Sequence, residues 1–406
     1  MKWYRLLALL VITATLLPLC GGCLGPTSLD EYGYVLTIGV DQGKQKKFNI
    51  SFLLQKEGDS QEAQTGAGSY IIAAEGDNLF DALLIAHVGV PYELNFTRTN
   101  FIAFSDQVAS SSLMNEFLSI SFNVVKIRQS AKLVIIQGSC VEYMEGLAST
   151  DIPNVAKRQY SHFQTYEQEG VIPLTNFTTY QEAIRTGRFD IAIPVGRLDR
   201  SIPTEDGSEE AKQQGEEQQT NEKDTTDGVK RIGGLRSYLH GSALFDGDRL
   251  AGLLDDEDTE ILLLALGEFE NGSIRISDEE GTVTFLLKAN GEPKVQMKLG
   301  DTPHAAMQLT LYAEIELDTA GNAEERWATT LKAALEEYIE NELARVFAAC
   351  KALNSDAMRF GRYACMQFPS EEAWQDYVWK QKYKQMTAEF SVAIHLDHRA
   401  ISAHVE

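Results

Sequence analysis

The sequence predicts a mixed α/β and α+β protein, and three observations predict it. Strand-like and helix-like stretches alternate from Tyr34 to Gly146, an acidic and nearly apolar-free run follows at 201–230, and beyond it strands and long helices come in blocks. A length of 406 residues suggests two or three domains, and 44% hydrophobic with 23% charged residues excludes wholesale disorder. A formal charge of −23 argues against broad nucleic-acid binding, which needs a basic surface. The same charge repels anionic headgroups, so membrane contact must come from something other than a broad basic patch.

The N-terminus supplies one candidate. Lys2 and Arg5 precede an apolar run from Leu6 to Leu17, 12 residues against the roughly 20 of a spanning helix, as in the h-region of a secretory signal at 1–22. The run ends in Leu19-Cys20-Gly21-Gly22-Cys23. Two small residues before a cysteine resemble the bacterial lipobox, which makes Cys23 the lipidated first residue, although Cys20 stands where lipoboxes usually carry Leu. Secretory cleavage near Gly22 without lipid is the alternative. Cleavage removes Lys2 and Arg5 and takes the charge from −23 to −25. Cys140, Cys350 and Cys365 remain; no Cys-x2-Cys spacing occurs, and buried free thiols are expected.

After a short tether, Leu24 to Ser28, Tyr34–Val40 and Phe48–Leu54 read as a hairpin joined at Asp41-Gln42-Gly43. Leu79, Phe80, Leu83, Leu84 and Val88 form a helical stripe with Asp77 as its expected N-cap. Asn100–Phe104 and Lys132–Ile136 read as strands, Ser112–Phe122 as a helix, and Cys140–Gly146 as the start of another. The stretch from Ser201 to Lys230 holds nine acidic residues, three lysines and four glutamines, too little apolar surface to offset ordering, and is expected to be a flexible acidic linker.

Beyond it Tyr238–Leu244 and Arg249–Leu253 flank the turn Asp246-Gly247-Asp248. Asp255-Asp256-Glu257-Asp258 precedes Ile261–Leu264, and helix capping with favourable N-terminal charge accounts for it better than metal binding. Thr282–Lys288, Pro293–Lys298 and Met307–Leu317 form a meander. Ala323–Leu353 is the clearest helix, about 45 Å long, with Trp327, Leu331, Leu335, Tyr338, Leu343, Val346, Phe347 and Cys350 on one stripe. A second helix from about Ser370 holds Trp374, Tyr377 and Val378, and two strands, Thr387–Leu396 and Ile401–Val405, are expected to end the chain as a hairpin.

Catalytic signals are thin. There is no Gly-x-Ser-x-Gly elbow, phosphate-binding glycine loop or His-Glu-x-x-His pair. His395, His398 and His404 cluster near the C-terminus without cysteine or carboxylate partners, so exposed hairpin histidines are expected. Trp374, Tyr377 and Trp379 read as core rather than as a ligand pocket. No catalytic residue, metal ligand or cofactor is assigned, and no ligand-binding residue can be named.

Several stretches together resemble the Ger(x)C lipoproteins, the C subunits of nutrient germinant receptors in endospore-forming bacteria. They are the lipobox; Leu29 to Asp41 with its Ile38-Gly39-Val40-Asp41; Arg128 to Val134; Gly241 to Gly252; and Lys351, Asp356, Phe360-Gly361, Pro369 and Trp374. Leu24-Gly25 stands where family members often have Trp-Asp after the cysteine, and no glycine stands at Arg399-Ala400. The resemblance implies a three-domain lipoprotein, in which the acidic linker is an unusual insertion; with the readings above this gives signal peptide 1–22, N-terminal α/β domain 23–200, acidic linker 201–230, small middle domain 231–276, and C-terminal domain 277–406 with an antiparallel sheet against long helices. It implies a non-enzymatic scaffold or coupling role in triggering germination, held by acylated Cys23 on the outer face of the inner spore membrane beside membrane-embedded A and B subunits. The alternatives are a lipid-anchored extracytoplasmic solute-binding protein and, third, a cell-wall enzyme.

Overall fold

The computed structural model describes residues 3–4, 32–56, 69–91, 93–124, 126–148, 155–168, 170–199 and 236–397. Apart from Trp3 and Tyr4, the expected signal peptide lies outside them, as do Cys23, the tether, the acidic stretch 201–230 and the expected last strand with His398 and His404.

The first sheet has nine strands among the described residues: β1 (Tyr32–Gln42), β2 (Phe48–Lys56), β3 (Ser69–Gly76), β4 (Glu93–Asn95), β5 (Phe101–Ser105), β6 (Lys132–Ile136), β7 (Ala192–Leu198), β8 (Ser237–Asp246) and β9 (Arg249–Leu254). Their order is β3-β2-β1-β5-β6-β7-β8-β9, with β4 beside the start of β1. β1, β5, β6 and β7 are parallel, with antiparallel strands on both flanks. The helices of this half are α1 (Leu79–Gly89), α2 (Asp106–Ala109), α3 (Leu113–Val124), α4 (Cys140–Ala148), α5 (Val155–Gln168) and α6 (Phe177–Thr186). Ile38, Val40, Ile102, Phe104 and Leu133 pack with α1, α2, α3 and α6, whereas Phe101, Ala103, Val134 and Ile136 pack with α4 and α5. Helices on both faces explain why the parallel strands are apolar nearly throughout.

The β1–β2 hairpin forms as expected, Val40 opposite Ile50. The cap of α1 is Asn78 rather than Asp77: Asn78 Oδ1 accepts from the amides of Phe80 and Asp81 at 2.9 and 3.1 Å. Asp77 instead meets Lys46 Nζ at 2.9 Å across the β1–β2 turn. The hairpin of β8 and β9 pairs with β7, Ala243 opposite Ile193. The opening residues of the stretch 231–276 therefore complete the first sheet.

α7 (Asp256–Leu266) leads into the second sheet, β10 (Asn271–Asp278), β11 (Gly281–Ala289), β12 (Lys294–Lys298) and β13 (His304–Asp318), with β14 (Thr387–Leu396) on the other edge of β13. The ladders are antiparallel except the last. β13 and β14 run parallel, Ala305 beside Ala388, so this sheet, expected antiparallel, is mixed. Parallel neighbours need a crossover, and the helical run between them provides it.

That run opens with α8 (Ala323–Arg326), passes through a π turn at Trp327–Leu331 and continues as α9 (Lys332–Ala352). The hydroxyls of Thr329 and Thr330 both donate to the Arg326 carbonyl, at 3.1 and 3.3 Å, where helix amides would otherwise compete. Leu335, Ile339, Leu343, Val346, Phe347 and Cys350 are buried against the sheet. Ser370 caps α11 (Glu371–Asp376), which follows α10 (Phe360–Cys365). The helix expected to carry Trp374, Tyr377 and Val378 stops at Asp376, because Val378 sits at φ 51° before α12 (Trp379–Tyr383).

Candidate functional site: a buried polar hub between the two halves

Where α9 ends, the chain turns through Asn354 at φ 53° and buries Asp356 completely. Asp356 Oδ1 accepts from the Phe360 amide at 2.9 Å, and Oδ2 accepts from the Gly361 amide at 2.7 Å and Trp379 Nε1 at 2.9 Å. One carboxylate thereby fixes the start of α10 and the start of α12. The first half reaches the same point through Asp190, just before β7. Asp190 Oδ1 accepts from the Gly247 amide at 2.9 Å, and Oδ2 accepts from the Asp356 amide at 2.7 Å. Lys380, on α12, brings its ammonium to Asp190 Oδ2, to Asp246 Oδ1 at 2.7 Å and to the Asn354 carbonyl at 2.8 Å. Asn354 Nδ2 donates to Asp246 Oδ2 at 2.9 Å, and Tyr383 donates its hydroxyl to the Ser355 carbonyl at 2.9 Å.

Two carboxylates thus meet one lysine, with the buried Asp356 carboxylate close to that of Asp190. Burial pushes the Asp356 pKa up to about 7 despite its three N–H donors, with the Asp190 charge adding to the rise. Burial also raises Asp190, opposed by Lys380. The arrangement is crowded. A Cβ at Gly361 would stand 2.0 Å from the Arg188 carbonyl oxygen and 2.6 Å from Trp379 Nε1, so no other residue fits there. Three non-glycine residues with positive φ occur among the described residues, Asn354, Arg359 and Val378, and all flank this hub. Such strain persists only where surrounding contacts over-determine the backbone. Trp379 also stacks among Trp374 (5.8 Å between rings), Tyr377 (6.5 Å) and Tyr383 (5.9 Å), which places the expected aromatic group in the core. Every N–H of Lys380 and both oxygens of Asp356 and Asp190 meet protein partners, so the hub acts by joining segments.

The remaining sequence motifs do similar joining. In Ile38-Gly39-Val40-Asp41, Asp41 Oδ1 accepts from the Cys140 amide at 2.9 Å and so caps α4. Gly39 lets that helix lie close, since a Cβ there would meet Met144 Cε at 2.7 Å. Asp255 caps α7 through the Asp258 amide at 2.9 Å, and Asp256 accepts from Gly241 N at 2.7 Å and meets His240 Nδ1 at 2.9 Å. Gly241 needs its φ of +59°, and a Cβ there would stand 2.2 Å from the Leu254 carbonyl oxygen. His395 stands alone of its expected cluster among the described residues, 6.0 Å from the Tyr312 ring. Cys140, Cys350 and Cys365 are free thiols, and burial raises all three, Cys350 to about 12. Among the described residues no group of His, Cys, Asp and Glu is placed to hold a metal ion. A cavity between the first sheet and α4–α5, lined by Thr37, Tyr143, Gln159, Phe163 and Ser237, has about 20 Å³ of room, enough for one water. Among the described residues no helix is long and apolar enough to cross a membrane.

Asp356, Phe360, Gly361 and Trp374 stood out in the sequence, whereas Asp190, Asp246 as a hub member and Lys380 did not. A partner 166 residues away leaves no local signal.

Comparison with known proteins supplies the frame. Residues 26–198 match the family model described as "Spore germination protein N-terminal domain", and residues 240–399 match "Spore germination B3/ GerAC like, C-terminal". The chain belongs to the Ger(x)C family of spore germination proteins. A solved structure titled "Crystal Structure of the GerBC protein" is similar with a TM-score of 0.52 and 11% identity, over 88% of this chain and 96% of that one. That likeness shows the shared mixed fold. No curated protein matches the chain. Asp190 and Asp356 fall one in each matched region, so the hub joins the family's two halves. The acidic stretch 201–230 falls between the matches.

Proposed function

We propose that the chain is the C subunit of a spore nutrient germinant receptor, a non-enzymatic coupling element that works with membrane-embedded A and B subunits. It is held at the outer face of the inner spore membrane by acylated Cys23. The observation that carries the reading is the hub: the two family-matched halves meet at Asp190 and Asp356, which are bonded to each other and to protein donors on all sides. A joint of this kind transmits displacement from one half to the other. Membership in a spore germination family supports the receptor assignment, and the lipobox motif supports the anchor.

The test is made in spores. Asp356→Ala, retained at wild-type level, should slow nutrient-triggered dipicolinate release at least tenfold, and Cys23→Ala should release the chain from the membrane. Undiminished nutrient response in both variants would refute the reading. The solute-binding alternative predicts saturable heat when amino acids or sugars are titrated into the chain; the coupling role predicts none.

A further inference from the structure

α1 has an apolar face that no other described residue covers. Phe80, Leu84, Ile85 and Val88 are 52, 55, 56 and 89% exposed, and Ile120 on the neighbouring α3 adds to the same side. Leu79, Ala82, Leu83 and Ala86 already bury the opposite face, so α1 is apolar on both faces apart from Asp81 and the exposed His87. A helix of that kind belongs in a core or against a partner.

The topology says where this face sits. α1 runs back from the Gly76 end of β3, and four residues after it ends at Gly89 the chain enters β4, whose Glu93 pairs with Tyr32 at the start of β1. Val88 and Ile85 therefore lie toward the corner from which the chain leads back to Cys23. Nine residue steps separate Cys23 from Tyr32, a contour of at most about 30 Å. The lipid on Cys23, once in a bilayer, holds this corner within about 30 Å of its surface.

Cations stand near that placement. In a chain of −23, the segments that precede β5 and β6 at the same end of the sheet carry exposed Arg98, Lys126 and Arg128, against exposed Glu93 and the acids Asp30, Glu31, Glu57, Asp59 and Glu62 in the sequence leading into β1 and out of β2. Arg98 lies over the Tyr34 ring at 4.0 Å, which fixes it beside the start of β1. Apolar side chains flanked by cations form the pattern of an interfacial helix on a lipid surface.

We infer that the outer face of α1 docks on the bilayer, with Leu84, Ile85 and Val88 entering the headgroup boundary and Arg98, Lys126 and Arg128 meeting lipid phosphates. The inference rests on the lipidation of Cys23. Its contribution is orientation: the acyl group tethers the chain, and α1 sets which side of the first sheet faces the membrane.

The experiment uses the lipidated full chain in vesicles of phosphatidylglycerol and phosphatidylcholine, a quarter of the lipids bearing a quencher. In a Cys365→Ser background, an environment-sensitive dye is placed at Val88→Cys, at Leu84→Cys and, as a reference, at Met366→Cys, which is 70% exposed in the other half. The expected result is a blue-shifted dye and at least threefold quenching at Val88 and Leu84, with the Met366 dye unchanged. Dyes at Val88 and Leu84 that remain as wet as at Met366, on a chain that floats with the vesicles, overturn the docking and give the face to a protein partner. A chain that fails to float refutes the anchor, and the docking with it.

Discussion

Asp190 and Asp356, 166 residues apart, are bonded to each other twice: the Asp356 amide donates to Asp190 Oδ2 at 2.7 Å, and the Asp190 amide donates to the Asp356 carbonyl at 3.2 Å. Neither bond depends on a flexible pair of side-chain tips, since backbone takes part in both. The two halves of the chain are therefore fixed to each other at backbone precision, and Lys380 offsets part of the buried negative charge.

Asp356→Ala removes the acceptor of three N–H groups, two on backbone and one on a buried tryptophan. An orphaned buried donor costs about 1–3 kcal/mol, so a loss of about 3 kcal/mol or more is expected by chemical denaturation. Trp379 fluorescence should shift to the red in the same variant, as its indole loses its partner.

The hub makes stability depend on pH. The folded-state pKa of Asp356 is raised from the ordinary 3.8 to about 7, so between those values the folded chain holds a proton that the unfolded chain has lost. Stability therefore falls as pH rises through that window, by up to about 4 kcal/mol from this group at about 1.4 kcal/mol per unit. Glu260, raised from 4.5 to about 7 by burial beside Asp256 and Glu257, acts in the same direction. Melting should occur at a higher temperature at pH 5 than at pH 8. Asp356→Asn should flatten the dependence even though it lowers Tm.

Val378 is β-branched, 44% exposed and held at φ 51°. Glycine adopts that conformation freely, and little packing is lost with the side chain. Val378→Gly should stabilise the chain by about 1 kcal/mol, read as a higher Tm. Gly361→Ala should do the opposite, abolishing the cooperative transition, because its Cβ would overlap the Arg188 carbonyl.

The outer edge of β14 is protected by side chains of α9. The Val392 amide donates to Glu340 Oε1 at 2.9 Å and the Ile394 amide to Glu336 Oε1 at 2.8 Å, where an open edge would invite strand addition. Replacing both glutamates by alanine should speed hydrogen exchange at Val392 and Ile394 at least tenfold and promote association at high concentration, measured by light scattering.

How much of this the sequence carries varies with distance along the chain. The β1–β2 hairpin, α7 with its Asp255 cap and the buried stripe of α9 are periodic and local, and their residues announce them. β3 was missed although Ser69–Gly76 holds the β-prone run Tyr70-Ile71-Ile72; it takes its place by pairing with β2. The N-cap moved from Asp77 to Asn78 because Lys46 and Lys47 occupy the aspartate, a contact made across the sheet edge. The helix from Ser370 broke at Val378 against propensity, since Trp379 must turn inward to reach Asp356. Of the hub, Asp356, Phe360 and Gly361 belong to a recognisable pattern, whereas Asp190 and Lys380 acquire meaning only when the halves meet.

The central claim is that this chain couples the two halves of a germinant-receptor subunit to nutrient-triggered release. The most direct measurement is dipicolinate release after nutrient addition in spores carrying Asp356→Ala, with subunit level and membrane attachment verified by immunoblot. The coupling role predicts at least a tenfold slower release in response to nutrient, with release under high pressure or another receptor-independent trigger unchanged. Wild-type nutrient response from a hub-broken chain present at normal level would contradict it.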